Sequence, residues 1–110
     1  MSALVAATGD RDLVAHMVDA FLLEIPARLR QIHEALDSGQ WPDAVRRNAH
    51  HLRGSSLALG AEELAQACAS LERIAQDGAR SQVVAMLPAL GIIAGRSLAI
   101  LTQARTTNAW

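Results

Sequence analysis

The sequence predicts an all-α protein, an antiparallel up-down bundle, and three observations carry the prediction. The hydrophobic fraction is 51% and aromatics are only 3%, so Ala and Leu, both strong helix formers, supply most of the apolar content. Apolar residues recur at intervals of three and four along most of the chain. Turn residues fall in short groups between those runs, so successive helices joined by two- to four-residue turns lie antiparallel. With 110 residues the chain holds one domain, 1–110, around one core.

The elements follow in order. Asp10 or Thr8 is placed to N-cap a first segment in which Leu13, Met17, Ala20 and Phe21 share a face. Ile25, Leu29, Ile32 and Leu36 continue the spacing, but Pro26 lies within it. Proline in a helix interior loses a hydrogen bond and clashes, so a break is expected there between a short first helix and a second one. Ser38-Gly39 ends the second helix, and Trp41-Pro42-Asp43 opens a third with proline in its first turn. Gly60 closes the third. Ala61-Glu62-Glu63 opens the fourth with its acids at the positive end of the dipole, Leu64, Cys68, Leu71 and Ala75 form its stripe, and Asp77-Gly78 ends it. The last helix runs from about Ser81 to Ala104, with Val83, Leu87, Leu90, Ala94, Leu98 and Leu101 inward and a kink expected at Pro88. Gly91 and Gly95 within it permit a close helix approach. That makes five helical segments, four of them long.

Composition removes several classes of function. The net charge is −1, which leaves no electrostatic footprint for nucleic acid or an anionic membrane. The ten basic residues are all Arg. A single cysteine, Cys68, forms no internal disulfide and suits a reducing, cytoplasmic compartment. The first residues lack the basic start and long apolar run of a signal peptide. Residues 83–101 approach the length of a membrane span. Arg96 within them would cost at least ~2.5 kcal/mol at mid-bilayer, and Pro88 and Ser97 add to the penalty, so a buried helix of the bundle is expected.

The third helix carries the chemistry. Val45, Ala49, Leu52, Ser56 and Leu59 repeat at four and three and face the core, and the repeat passes through Gly54 without a break. His50 then points away from the core. Its neighbours one turn before and after are Arg46, Arg47, Arg53 and Gly54, with Leu57 a turn further on. His51 lies about 100° round the helix, so the two histidines diverge and do not chelate a shared metal. Imidazole is a nucleophile at neutral pH, and guanidinium groups beside it would stabilise a phosphoryl group on its nitrogen. Gly54 would leave a partner room to bring its own reactive group in line. Spacing alone leaves a second reading open, an exposed histidine among surface arginines with Gly54 a mild helix defect.

The stretch AHHLRGSSLALGA, followed by LAQACASLE and a Gly turn, resembles the motif of histidine-containing phosphotransfer (HPt) domains. That motif is a histidine, any residue, Leu or Ile, Lys or Arg, then Gly and small residues. His50, Leu52, Arg53, Gly54, Ser55 and Ser56 fill it in order. FLLEIPARLRQIHEALDSGQW upstream is similar to the family's preceding stretch, so the likeness spans roughly residues 12–78, with its core at 41–78. The resemblance implies an antiparallel four-helix bundle with an additional short N-terminal helix. It implies that His50 takes a phosphoryl group from the aspartate of one receiver domain and gives it to another, with Arg53 holding the phosphate and Gly54 giving clearance. It further implies Glu72 as a polar neighbour of His50 from the next helix, and Leu57 with the first helix as docking surface for the receiver of a response regulator or hybrid sensor kinase. The implied protein is a phosphoryl carrier, not an enzyme. It has no Walker-type ATP motif and no cofactor of its own, Mg²⁺ being expected from the receiver. His51 stands where sensor kinases carry a carboxylate, which argues against an autophosphorylating dimerisation domain.

Three other readings stand beside this one. A phosphoacceptor domain of a chemotaxis-type kinase would be loaded from ATP by a kinase domain. A helical interaction module would bind a receiver or enzyme surface with His50 never phosphorylated. A metal-binding bundle would use His16, His33 and Cys68 from separate helices.

Overall fold

Four helices account for the predicted runs. A computed structural model describes residues 10–107: α1 is Arg11–Ala35, α2 Trp41–Ala58, α3 Glu62–Gln76 and α4 Arg80–Thr107. Asp10 caps α1, its carboxylate accepting the Leu13 N–H at 3.0 Å. Thr8 lies outside the described residues. Proline stands in the first turn of α2 as expected. Gly60 and Gly78 take φ of +75° and +72°, the left-handed conformation in which glycine turns one helix into the next.

Two expectations are corrected. The short first helix and the second are one helix, α1, which runs through Pro26. Proline costs a helix interior about 3 kcal/mol. Phe21 and Ile25 before it and Ile32 after it are buried on one continuous stripe, and each such side chain gains about 1.5–3 kcal/mol from burial, so the unbroken stripe wins. The buried face of α1 is Val14, Val18, Phe21, Ile25 and Ile32; Leu13 and Ala20 are exposed. Gly39, expected just past a helix end, instead sits in the 36–40 turn, since α1 stops at Ala35 with Leu36 as its cap.

The helices pack in a ring, α1 on α2, α2 on α3, α3 on α4 and α4 on α1, so α2 and α4 are diagonal to one another. Hydrogen bonds record the antiparallel order: Arg28 reaches Asn48 while Glu24 reaches Ser55, and Arg80 bonds the Leu36 carbonyl while Arg105 pairs with Asp19. The core is aliphatic, with Phe21, Ile25, Leu52, Leu64, Leu71 and Leu90 among its fully buried side chains.

α4 departs from the expected buried helix. Among the described residues it is the one helix long and apolar enough to cross a membrane by length and composition, yet only 22% of its most apolar window is buried. One side packs on α1 and α3 and the other faces outward.

Candidate functional site

The site is built on the outward faces of α2 and α3. Ala49, Leu52 and Ser56 anchor α2 in the core, and this rotation leaves the His50 side chain 64% exposed. α3 is set by Leu64, Cys68 and Leu71, which turns Glu72 toward α2 at the edge of the core, with 19% of its side chain exposed. The two meet: His50 Nδ1 lies 3.1 Å from Glu72 Oε1, and Arg53 Nη1 donates to Glu72 Oε2 at 3.5 Å. An ionised carboxylate only accepts, so Nδ1 carries the proton and donates. In the neutral ring the lone pair then sits on Nε2, the nitrogen that Glu72 does not engage.

His50, Arg53, Gly54 and Leu57 line one open cleft of about 240 Å³. A Cβ built on Gly54 meets nothing within 4 Å. The missing side chain therefore serves no packing within the chain. Arg46, one turn before His50, pairs with Asp43 at 3.2 Å, while Arg47 is exposed and makes no ion pair among the described residues. Leu57 stands exposed on the rim. His51 is exposed and presents its ring edge-on to His50, with ring centroids 6.2 Å apart. Among the described residues no three His, Cys, Asp or Glu side chains converge as a metal site, and His16, His33 and Cys68 stay apart.

Sequence reasoning missed the contacts that tie α2 to α1 on the other flank of the notch. Ser55, next to Gly54, donates its hydroxyl to Glu24 Oε2 at 2.9 Å, and Glu24 also pairs with Arg28. Arg28 donates to Asn48 Oδ1 at 3.1 Å, and Asn48 donates to the Ala44 carbonyl at 2.8 Å. The spacing of Glu24 and Arg28 by four was a visible signal of an α1 ion pair, but nothing local joined it to Ser55 or Asn48.

Beneath Glu72, Cys68 is buried one turn back on α3. Burial, and then the charge of Glu72, push its thiol from 9.0 up to about 12. The folded state therefore holds this proton more tightly than the unfolded chain. Its stabilising share is complete below about pH 9 and is lost as pH rises toward 12, by about 1.4 kcal/mol per unit. The chain has neither Tyr nor Lys, so no other side-chain type has its ordinary titration in that window. Urea unfolding of Cys68→Ala is expected to be nearly flat between about pH 9 and 11, where the parent protein weakens.

Comparison with known proteins agrees with the helical fold. The Hpt domain family matches residues 16–105. Among solved structures the chain is similar to the histidine-containing phosphotransfer protein B (HptB) from Pseudomonas aeruginosa PAO1. The TM-score is 0.86 at 28% identity, over 97% of this chain and 94% of that one. No curated protein matches the chain.

Proposed function

The chain belongs to the Hpt domain family and acts as a histidine phosphotransfer domain of a two-component phosphorelay, and from that premise we propose that His50 is the residue that carries the phosphoryl group. The observation that carries the assignment is the His50–Glu72 hydrogen bond. It leaves Nε2, the nitrogen that Glu72 does not engage, as the nucleophile. In the forward step Nε2 attacks the phosphorus of a receiver's aspartyl phosphate, a P–N bond forms, and the P–O bond to the aspartate carboxylate breaks in line. The carboxylate stays with the receiver. Handing the group on is the reverse of this step at a second receiver's aspartate.

The supporting residues divide the remaining work. Glu72 holds the tautomer and offsets the positive charge that the ring gains when Nε2 bonds phosphorus. Arg53 keeps donors free beyond its long bond to Glu72, and Arg47 and Arg46 add positive charge one turn away. The Mg²⁺ that phosphoryl transfer uses comes with the receiver, so the domain works as a carrier without an ATP site of its own. The partners are receiver domains, including that of a hybrid sensor kinase, and the compartment is the cytosol.

Mixing the protein with a phosphorylated receiver is the direct test. Label should move to the domain within the mixing time and be acid-labile and alkali-stable. A domain that takes label only from a kinase domain and ATP would instead be a chemotaxis-type phosphoacceptor. Glu72 has its own test. Glu72→Ala should slow transfer by about 10- to 100-fold and reduce the Nδ1–H tautomer of His50 in ¹⁵N NMR spectra, while Glu72→Gln, which can still accept from Nδ1, should keep the tautomer. An unchanged tautomer in Glu72→Ala would remove Glu72 from the mechanism.

A further inference from the structure

α2 carries two features that weaken a helix, and both fall between His50 and Leu57. Gly54 is the least favourable residue for a helix interior after proline. Ser56, which is buried, donates its hydroxyl to the Leu52 carbonyl at 2.6 Å, a back-bond of the kind that bends helices. Packing holds this stretch only in part, because two of its core-facing residues, Ala49 and Ser56, are small. α1 has a weak point of its own at Pro26, which donates no backbone hydrogen bond to the preceding turn. Both helices nonetheless run unbroken.

One connected set of side chains spans these weak points. Glu24 Oε2 accepts the Ser55 hydroxyl at 2.9 Å, on the residue just past Gly54. Glu24 Oε1 lies 3.5 Å from Arg28 Nε, an ion pair that straddles Pro26. Arg28 Nη1 in turn donates to Oδ1 of the buried Asn48 at 3.1 Å. α1 thus grips α2 at residues 48 and 55, about two turns apart, with His50 and Gly54 between the grips. On the other flank Glu72 holds Arg53. The residues immediately before and after the notch are therefore each tied to a carboxylate of a neighbouring helix.

We propose that Glu24 is a positioning residue for the phosphotransfer: through Ser55, and through Arg28 and Asn48, it keeps α2 straight across Gly54. It thereby fixes the spacing between His50 and a receiver seated against Leu57. The proposal rests on His50 as the phosphoryl carrier. A bend of about 10° at Gly54 would move His50, about 6 Å away along the helix axis, by about 1 Å. Misplacement of that size costs in-line transfer up to about 100-fold. Glu24 acts without touching the reacting atoms. It lies outside the cleft lined by His50, Arg53, Gly54 and Leu57, and each of its oxygens has a partner within the chain.

Single-turnover transfer from a phosphorylated receiver, followed over a range of receiver concentrations, tests this. Glu24→Ala should lower the saturated rate by about tenfold and shift the half-saturating concentration less than about twofold. Glu24→Gln, whose carbonyl still accepts from Ser55, should recover most of the rate. Ser55→Ala should lose rate as Glu24→Ala does, and the double variant should lose little more than either, since the two residues act as one unit. In a Gly54→Ala background, where the helix is stiffer, Glu24→Ala should cost less than it does in the parent. Circular dichroism fixes the temperature at which each variant is folded, and if Glu24→Ala does not fold, Ser55→Ala, which removes a single hydroxyl, carries the same test. A folded variant that is less stable yet keeps the parent's saturated rate overturns the proposal. A loss confined to the half-saturating concentration also overturns it, since it would mark Glu24 as a contact to the receiver. Losses that multiply in the double variant do the same. A parent protein that takes no label would overturn the proposal together with the carrier reading, whereas the other outcomes leave that reading standing.

Discussion

His50→Gln is expected to abolish transfer of label from a phosphorylated receiver, a loss of at least about three orders of magnitude, with the fold unchanged. The side chain is mostly exposed and belongs to no core cluster, so its removal costs little stability. What disappears is the ring nitrogen that bonds phosphorus. Gln is close in length and can keep a hydrogen bond to Glu72, so the substitution separates nucleophilicity from local structure. His51 is the internal control. It is also exposed, but neither Glu72 nor any other carboxylate among the described residues is bonded to its ring. His51→Gln should transfer at nearly the parent rate. Label that persists in His50→Gln would move the phosphoryl group elsewhere.

The second large effect is expected at Gly54, where stability and activity should move in opposite directions. A Cβ there meets nothing within 4 Å, and the residue has an ordinary helical backbone, so a side chain fits without strain. Ala in place of Gly within a helix gains about 1 kcal/mol, and Gln gains somewhat less. For a domain of this size a gain of that order raises Tm by about 4–8 °C. Gly54→Gln would nonetheless push its amide into the cleft shared by His50, Arg53 and Leu57, across the line by which an aspartyl phosphate approaches. Transfer should slow at least tenfold, which stopped-flow or quenched labelling would measure. Gly54→Ala, with one methyl group, should keep the stability gain and lose less rate. A Gly54→Gln protein that is more stable and equally fast would mean that the notch has no role.

The parts of this molecule that could be read from sequence are those whose geometry is local. His50, Arg53, Gly54 and Leu57 lie within eight residues of one helix, and helical spacing alone places them on one face. Glu72 is on the next helix, and only the family resemblance pointed to it; the distances to His50 and Arg53 bring it into the site. The Glu24–Ser55 and Arg28–Asn48 contacts join residues 31 and 20 apart, beyond any periodicity argument. The misreadings have a common cause. At Pro26 a local rule about hydrogen bonds was outweighed by burial on both sides of it. The start of α1 was phased on Leu13, Met17 and Ala20 beside Phe21, whereas the structure buries Val14 and Val18 with Phe21, and both choices satisfy the same three- and four-residue intervals. In α4 the spacing picked out the packed side, Val83, Leu87, Leu90, Ala94 and Leu101, but apolar residues surround the helix, so it gave no sign that the far side stays open.

The tight turn at Gly60 has a consequence for how the site comes into being. It joins the two helices that carry His50 and Glu72, residues 22 apart in the chain, so the reactive pair belongs to a single helical hairpin. Closing so short a loop carries a small entropic cost, and contacts of such low sequence separation form early and fast. The imidazole is therefore expected to be oriented early in folding, before the chain ends meet through Arg105 and Asp19, an order that pulse-labelled hydrogen exchange of α2 and α3 against α1 and α4 would check. Fraying of α1 or α4 at those ends would loosen the bundle while leaving the proton on Nδ1 and the nucleophile in place.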